Sequence, residues 1–238
     1  MNAVSVQHLR VRHGEVIALD DTDLEVAPGR VCGLVGMNGA GKTSLLRAVL
    51  GVLTPVAGRV LIDGAPPAAA RRAGAVAYVP QAEDVDWDFP LSVRDVVTTG
   101  RYARLGPLRR TRPADRAAVA EALERVGMAE LAERQIGALS GGQRKRAFVA
   151  RALAQGARLL LLDEPFTGVD LATQSELTAL LRELAAAGAT VLVSTHDLDS
   201  VPALCDEVAL VHRTVVDHGP TALMLRPESL ARVLGGGA

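Results

Sequence analysis

Two stretches of the chain combine residue types and spacings that can do chemistry. Gly36-Met37-Asn38-Gly39-Ala40-Gly41-Lys42-Thr43 has the G-x-x-x-x-G-K-[ST] spacing of a phosphate-binding loop. Glycines at 36, 39 and 41 let the backbone take conformations closed to other residues and approach a ligand closely. The loop's N–H groups and the start of the following helix can then face phosphate oxygens. In that arrangement Lys42 reaches the terminal phosphates and the Thr43 hydroxyl ligates Mg²⁺. The second stretch is Leu159-Leu160-Leu161-Leu162-Asp163-Glu164, four apolar residues ending in two acids. An acid at the carboxyl end of a buried strand sits where α/β sheets bind ligands. Asp163 suits Mg²⁺, and Glu164 suits the orientation and deprotonation of an attacking water. Alone, an apolar run ending in an acid says little; beside a phosphate loop it gains meaning.

These residues need elements to position them. Val31-Cys32-Gly33-Leu34-Val35 is a continuous apolar run, as expected of a strand buried on both faces of a parallel sheet. Residues 42–51 then show helical periodicity, with Gly51 placed to end the helix. Further strand-like pieces recur at Arg59–Ile62, Val76–Val79, Leu159–Asp163, Thr190–Ser194 and Val208–Val211. Helix-like stretches lie between them at Val93–Gly100, Ala114–Val126, Gly142–Ala154, Thr173–Ala187 and Leu198–Cys205. This alternation predicts an α/β fold with a largely parallel sheet. Residues 87–155 hold several helices and no convincing strand, so they read as an inserted helical lobe. Alternation over residues 3–12 and at Leu24-Glu25-Val26 predicts a small antiparallel β layer. Residues 66–72 fit a loop or a short helix.

A third motif, Leu139-Ser140-Gly141-Gly142-Gln143, makes the chain resemble the ATP-binding cassette (ABC) ATPases, whose signature it reproduces. The resemblance extends to Gln81 after Tyr78-Val79-Pro80, to Asp170 six positions past Glu164, and to His196 in Ser194-Thr195-His196-Asp197. It implies a single ABC domain over residues 1–238. Residues 1–86 and 156–238 would form a P-loop NTPase core with a mostly parallel sheet and the β layer. Residues 87–155 would be the helical lobe. It further implies a head-to-tail homodimer holding two ATP molecules with Mg²⁺. ATP would lie on Gly36, Asn38, Gly39, Ala40, Gly41, Lys42, Thr43 and Ser44. Ser140, Gly141, Gly142 and Gln143 of the second copy would close over the γ-phosphate. Ser140 is a good N-cap for the helix that the signature opens. Thr43, Gln81 and Asp163 would hold Mg²⁺, Glu164 would be the base, His196 would touch the γ-phosphate, and Asp170 would help build the interface. An adenine-stacking aromatic is usual near the end of the first strand. The matching place holds His13, which offers less area. The Asp loop reads Thr167-Gly168-Val169-Asp170, a departure that keeps the aspartate.

The stretch from Tyr78 to Pro90, with Val85-Asp86-Trp87-Asp88-Phe89-Pro90 inside it, resembles the ATPases of manganese, zinc and iron importers. It implies import of a divalent metal ion through separate membrane permease subunits fed by an extracytoplasmic metal-binding protein. The chain would then sit on the cytoplasmic face of the membrane. Chelated iron, haem or cobalamin import is the alternative, with a soluble ABC assembly ATPase as a second. A DNA-repair ABC ATPase needs a long insertion between Gln81 and Ser140 that the chain lacks. Glu83, Asp84, Asp86 and Asp88 read as a solvated or partner-facing acidic loop. Arg101, Arg104, Arg109, Arg110 and Arg112 read as a patch for the permease's cytoplasmic loop. His8, His212 and His218 show no ligand spacing and read as structural, and Cys32 as a small core residue.

Composition agrees. The 238 residues are 49% hydrophobic and 22% charged, which argues against wholesale disorder. A net charge of −1 gives no footprint for nucleic acid. No apolar run approaches the roughly 20 residues of a membrane span. The first residues show no secretory pattern, and two cysteines make no disulfide framework. The chain also ends soon after the core, where sugar-importer ATPases carry a regulatory domain.

Overall fold

The computed structural model describes residues 2–81, 90–105 and 110–234. In chain order, β1 (Val4–His13) and β2 (Val16–Val26) form a hairpin, and β3 (Val31–Val35) runs through the phosphate loop into α1 (Lys42–Leu50). β4 (Ala57–Ile62), α2 (Pro67–Arg72) and β5 (Val76–Val79) follow, then α3 (Val93–Thr99), α4 (Pro113–Arg125) and α5 (Gly141–Gln155). The chain returns through β6 (Leu159–Asp163), α6 (Leu171–Ala186), β7 (Thr190–Thr195), α7 (Val201–Leu204) and β8 (Glu207–Val211). It closes with β9 (Val215–Pro220), α8 (Thr221–Met224) and α9 (Pro227–Leu234).

The larger sheet has the order β5-β6-β7-β3-β8-β9, parallel except for β9. β3, β6 and β7 are buried along their whole length, which is why each carries a continuous apolar run, such as Leu159–Leu162 and Val191–Val193, without alternation. The expected antiparallel layer is β2-β1-β4. One core lies between this layer and the larger sheet, with Leu9, Leu19, Leu34, Leu46 and Leu161 among its buried members. A second core, on the sheet's other face, joins α3, α4 and α5 to β6, β7 and α6 through residues such as Val97, Leu123, Phe148, Leu162 and Leu181.

For function the sheet order matters most. β3, β7 and β6 are neighbours and parallel, so their carboxyl ends bring the phosphate loop, Thr195-His196 and Asp163-Glu164 to one edge.

Several expectations need adjustment. β9, α8 and α9 had no sequence forecast, because Val215-Val216-Asp217-His218-Gly219-Pro220 shows neither alternation nor a sustained apolar run. Residues 67–72 form a helix. The expected helix from Leu198 shrinks to α7: Asp197 first makes a local turn, its carbonyl accepting from Ser200 Oγ at 3.0 Å. α6 begins at Leu171 rather than Thr173, because Asp170 caps it. The regular elements of residues 90–105 and 110–155 are helices, apart from an isolated bridge between Ser92 and Gln135. The acidic loop with Trp87 and Phe89, the start of the lobe at residue 87, and Arg109 lie outside the described residues. Arg101 does not belong to a free basic patch. Only 12% of its side chain is exposed; it pairs with Asp115 at 2.9 Å and donates to the Ala154 carbonyl at 2.8 Å. It ties α4 to the end of α5.

Candidate functional site

The phosphate loop is shaped by its glycines for two different reasons. A Cβ on Gly36 would lie 2.2 Å from the Val211 carbonyl oxygen, so the loop leaves β3 pressed against the end of β8. Gly39 and Gly41 have φ of 80° and 105°, a region that other residues rarely enter. Gly41 occupies the cap position of α1, whose N-terminal N–H groups consequently open towards the loop.

Lys42, the first residue of α1, is buried. Its Nζ donates to the carbonyls of Gly36 at 2.7 Å and Met37 at 3.1 Å, and lies 3.9 Å from Glu164 Oε1. Burial lowers its pKa from the ordinary lysine value, opposed by the nearby Glu164 and Asp163.

Asp163 is 1% exposed. Its Oδ1 accepts from Ser194 Oγ at 2.6 Å and Thr43 Oγ1 at 3.1 Å, and its Oδ2 from Tyr78 OH at 3.1 Å. Among the described residues no lysine, arginine or histidine pairs with it within salt-bridge distance. A buried carboxylate held by neutral donors beside a threonine hydroxyl is a hard, all-oxygen set that suits Mg²⁺. Burial pushes the Tyr78 phenol up to about 12, with the Asp163 charge adding to the effect.

Glu164 follows at φ 48°, a left-handed conformation rare for a non-glycine residue. Its N–H donates to Ser194 Oγ at 3.0 Å, which fixes the turn. The carboxylate is 12% exposed and lies 3.2 Å from His196 Nδ1 and 3.1 Å from Thr167 Oγ1. Glu164, Lys42, Asn38, Thr43, Ser44, Gln81 and His13 line one cleft of about 470 Å³. His13 Nε2 is 3.0 Å from Ser44 Oγ, so the β1–β2 turn closes the side of the cleft. Val16, Ile17 and Arg213 also line it. Ile17 and Val16, 41% and 65% exposed, add an apolar wall that the sequence reading did not mark.

The signature is the part that does not join this cleft. Ser140 caps α5, its Oγ accepting from Gln143 N–H at 3.3 Å while Gln143 Oε1 accepts from Ser140 N–H at 3.0 Å. Ser140 and Gly141 are exposed, and none of the four signature residues lines the cleft. Asp170 is also exposed. It caps α6 by accepting from Thr173 N–H at 2.9 Å, and this bond with that of the Thr173 hydroxyl holds its pKa below the usual carboxylate range. Beside it Leu171 is 83% exposed.

The comparisons with known proteins decide the family. The model of the ABC transporter family matches residues 19–167. The chain belongs to the ABC transporter family. It is the ATP-binding, ATP-hydrolysing subunit. It is 47% identical over 236 residues to the manganese transport system ATP-binding protein of Synechocystis sp., covering 99% of this chain and 89% of that one. It is 42% identical over 234 residues to the zinc transport system ATP-binding protein of Treponema pallidum, covering 98% and 87%. A metal-chelate type ABC transporter solved in an inward-facing conformation superposes with a TM-score of 0.85 at 28% identity, covering 98% of this chain and 89% of that one.

Besides Val16 and Ile17, two residues packed against the candidate site escaped sequence reasoning. Tyr78 could have been found, since a tyrosine in a buried strand needs a partner for its hydroxyl. Lys145 could not. This buried lysine of α5 donates to the Glu164 carbonyl at 3.0 Å and to the Thr167 carbonyl. It therefore pins the turn that presents Glu164 to the signature helix. Removing a charged donor that contributes about 1.5–3 kcal/mol should lower kcat about tenfold or more in Lys145→Met, with KM less changed. Steady-state ATPase kinetics check this. Burial also lowers the Lys145 pKa from 10.5 to about 8. The folded chain thus holds this proton more weakly than the unfolded chain. Wild-type stability should gain a contribution as pH rises from about 8 towards 10.5 that Lys145→Met lacks. Urea unfolding across that window measures it.

Proposed function

We propose that this ABC ATPase powers import of a divalent transition-metal ion, manganese or zinc first and iron close behind, through separate membrane permease subunits. The observation that carries this reading is the near full-length identity to ATPases of manganese and zinc transport systems. No helix of the described residues is long and apolar enough to cross a membrane, which suits a peripheral position on the cytoplasmic face. In this reading the phosphate loop, from Gly36 to Ser44, wraps the phosphates of ATP, while His13, Val16 and Ile17 receive the adenine. Thr43, Asp163 and Gln81 hold Mg²⁺, which when bound offsets phosphate charge. Lys42 neutralises the terminal phosphates, Glu164 accepts the proton of the attacking water, and His196 orients Glu164 and meets the γ-phosphate. Ser140, Gly141, Gly142 and Gln143 serve the cleft of a second copy in a head-to-tail homodimer. The exposed Asp170-Leu171 pair and the open signature support that arrangement.

A second reading is import of chelated iron. It draws on a 47% identity over 219 residues to the chelated iron transport system protein of Yersinia pestis, covering 92% of this chain and 74% of that one. One experiment separates the two. In the reconstituted complex, ATP hydrolysis should rise with Mn²⁺- or Zn²⁺-loaded extracytoplasmic binding protein and stay basal with its metal-free form. Stimulation only by a chelate-loaded partner, whether siderophore, haem or cobalamin, would reject the free-ion reading and leave the ATPase assignment standing.

A further inference from the structure

We propose that Cys32, Glu207 and His218 form a binding site for a borderline-soft divalent cation of the Zn²⁺ type, separate from the nucleotide cleft. The three residues come from neighbouring strands of the larger sheet. Cys32 of β3 pairs in register with Glu207 of β8, and Ala209 of β8 with His218 of β9. Side chains alternate along a strand, so Glu207 and Ala209 share a face, and the pairings put Cys32 and His218 on that face too. One ligand atom from each lies within 4.8 Å of the other two. Small rotations of the glutamate and imidazole would bring all three to bonding distance.

Unmet hydrogen-bonding capacity points the same way. Among the described residues, Glu207 Oε1 and His218 Nε2 are buried atoms without a hydrogen-bond partner. Among the described residues the nearest charge partner of Glu207 is His218 itself, at 3.6 Å from Oε2. Buried polar atoms are rarely left unpaired, and each orphan costs free energy that a bound cation would return. The donor set of thiolate, imidazole and carboxylate is that of Zn²⁺, with a fourth position left for water. On binding, Cys32 releases its proton to solvent. Thiolate and carboxylate then balance the dication, so the site carries no net charge. The His218 and Glu207 side chains are 24% and 21% exposed and provide the way in. A cation there would tie together β3, β8 and β9, four residues upstream of Gly36.

The test uses the full chain stripped by chelator, without nucleotide, in excess Mg²⁺. Equilibrium dialysis should find one Zn²⁺ bound per chain, and the unfolding temperature should rise with free Zn²⁺. Co²⁺ should give a thiolate charge-transfer band. Cys32→Ser and His218→Gln should each abolish the band and the Zn²⁺-dependent rise, with ATP binding retained as the check on folding. His8→Ala, at the exposed group His8, Asp21 and Asp23, should change neither. If Cys32→Ser does not fold, His218→Gln decides. A missing band, a Zn²⁺ effect that survives His218→Gln, or one lost in His8→Ala overturns the proposal and leaves a Glu207–His218 ion pair only.

Discussion

Glu164→Gln should keep ATP binding and slow hydrolysis about 10²–10⁴-fold, the range expected when a general base is removed. The geometry gives the reason. The strained φ of 48° and the bond from its N–H to Ser194 Oγ hold residue 164 at the end of β6. Its carboxylate there lies 3.2 Å from His196 and 3.9 Å from Lys42. Glutamine can keep the turn and the contact to the Thr167 hydroxyl but cannot accept a proton. Binding, which in the proposed arrangement rests on the loop and Lys42, should survive. In the proposed head-to-tail homodimer hydrolysis opens the interface, so the variant with Mg-ATP should also accumulate as a dimer on size-exclusion chromatography. Turnover at the wild-type rate would remove Glu164 from the mechanism.

That prediction could be framed from sequence because its residues sit in continuous motifs. Gly36 to Thr43 and Leu159 to Glu164 each carry strand, turn and chemistry within a few positions, so local reading places them. The central strands were legible for the same reason: burial on both faces leaves an unbroken apolar run. What stayed hidden depends on contacts between distant segments. Tyr78 meets Asp163 across two strands, His13 meets Ser44 across a hairpin and a helix, and Lys145 reaches the Glu164 turn from α5. A lysine within Gln143-Arg144-Lys145-Arg146 looks like one more solvated charge until the fold buries it. Arg101 misled in the same way: its buried partner Asp115 lies 14 positions on. β9 was missed because it is an edge strand with half-exposed residues and, unlike β5 at the other edge, no apolar run to announce it.

Lys42→Ala should abolish turnover and weaken nucleotide binding, and its partial rescue by a second variant tests the whole arrangement. Each charge-assisted bond from Nζ contributes about 1.5–3 kcal/mol, and in the proposed ATP complex the lysine would make more than one to the phosphates. No other lysine or arginine of the described residues is both buried and among those lining the cleft, so nothing replaces the lost charge. Ser140→Arg should be equally silent in a pure sample, for a different reason. Ser140 lies outside its own chain's cleft, so the bulky arginine leaves that cleft intact and blocks a partner's. Mixing the two variants therefore has a definite outcome. In a heterodimer one site combines the broken loop with the broken signature, and the other combines the intact loop with the intact signature. ATPase activity should reappear on mixing and increase as heterodimers form. If both variants fold and pair in ATP yet the mixture stays inactive, either the signature acts within its own chain or the two sites fire only together. A Lys42→Ala/wild-type mixture separates these cases: its heterodimers keep one intact site, so activity above that of the wild-type homodimers it contains, with none in the first mixture, rejects the head-to-tail arrangement.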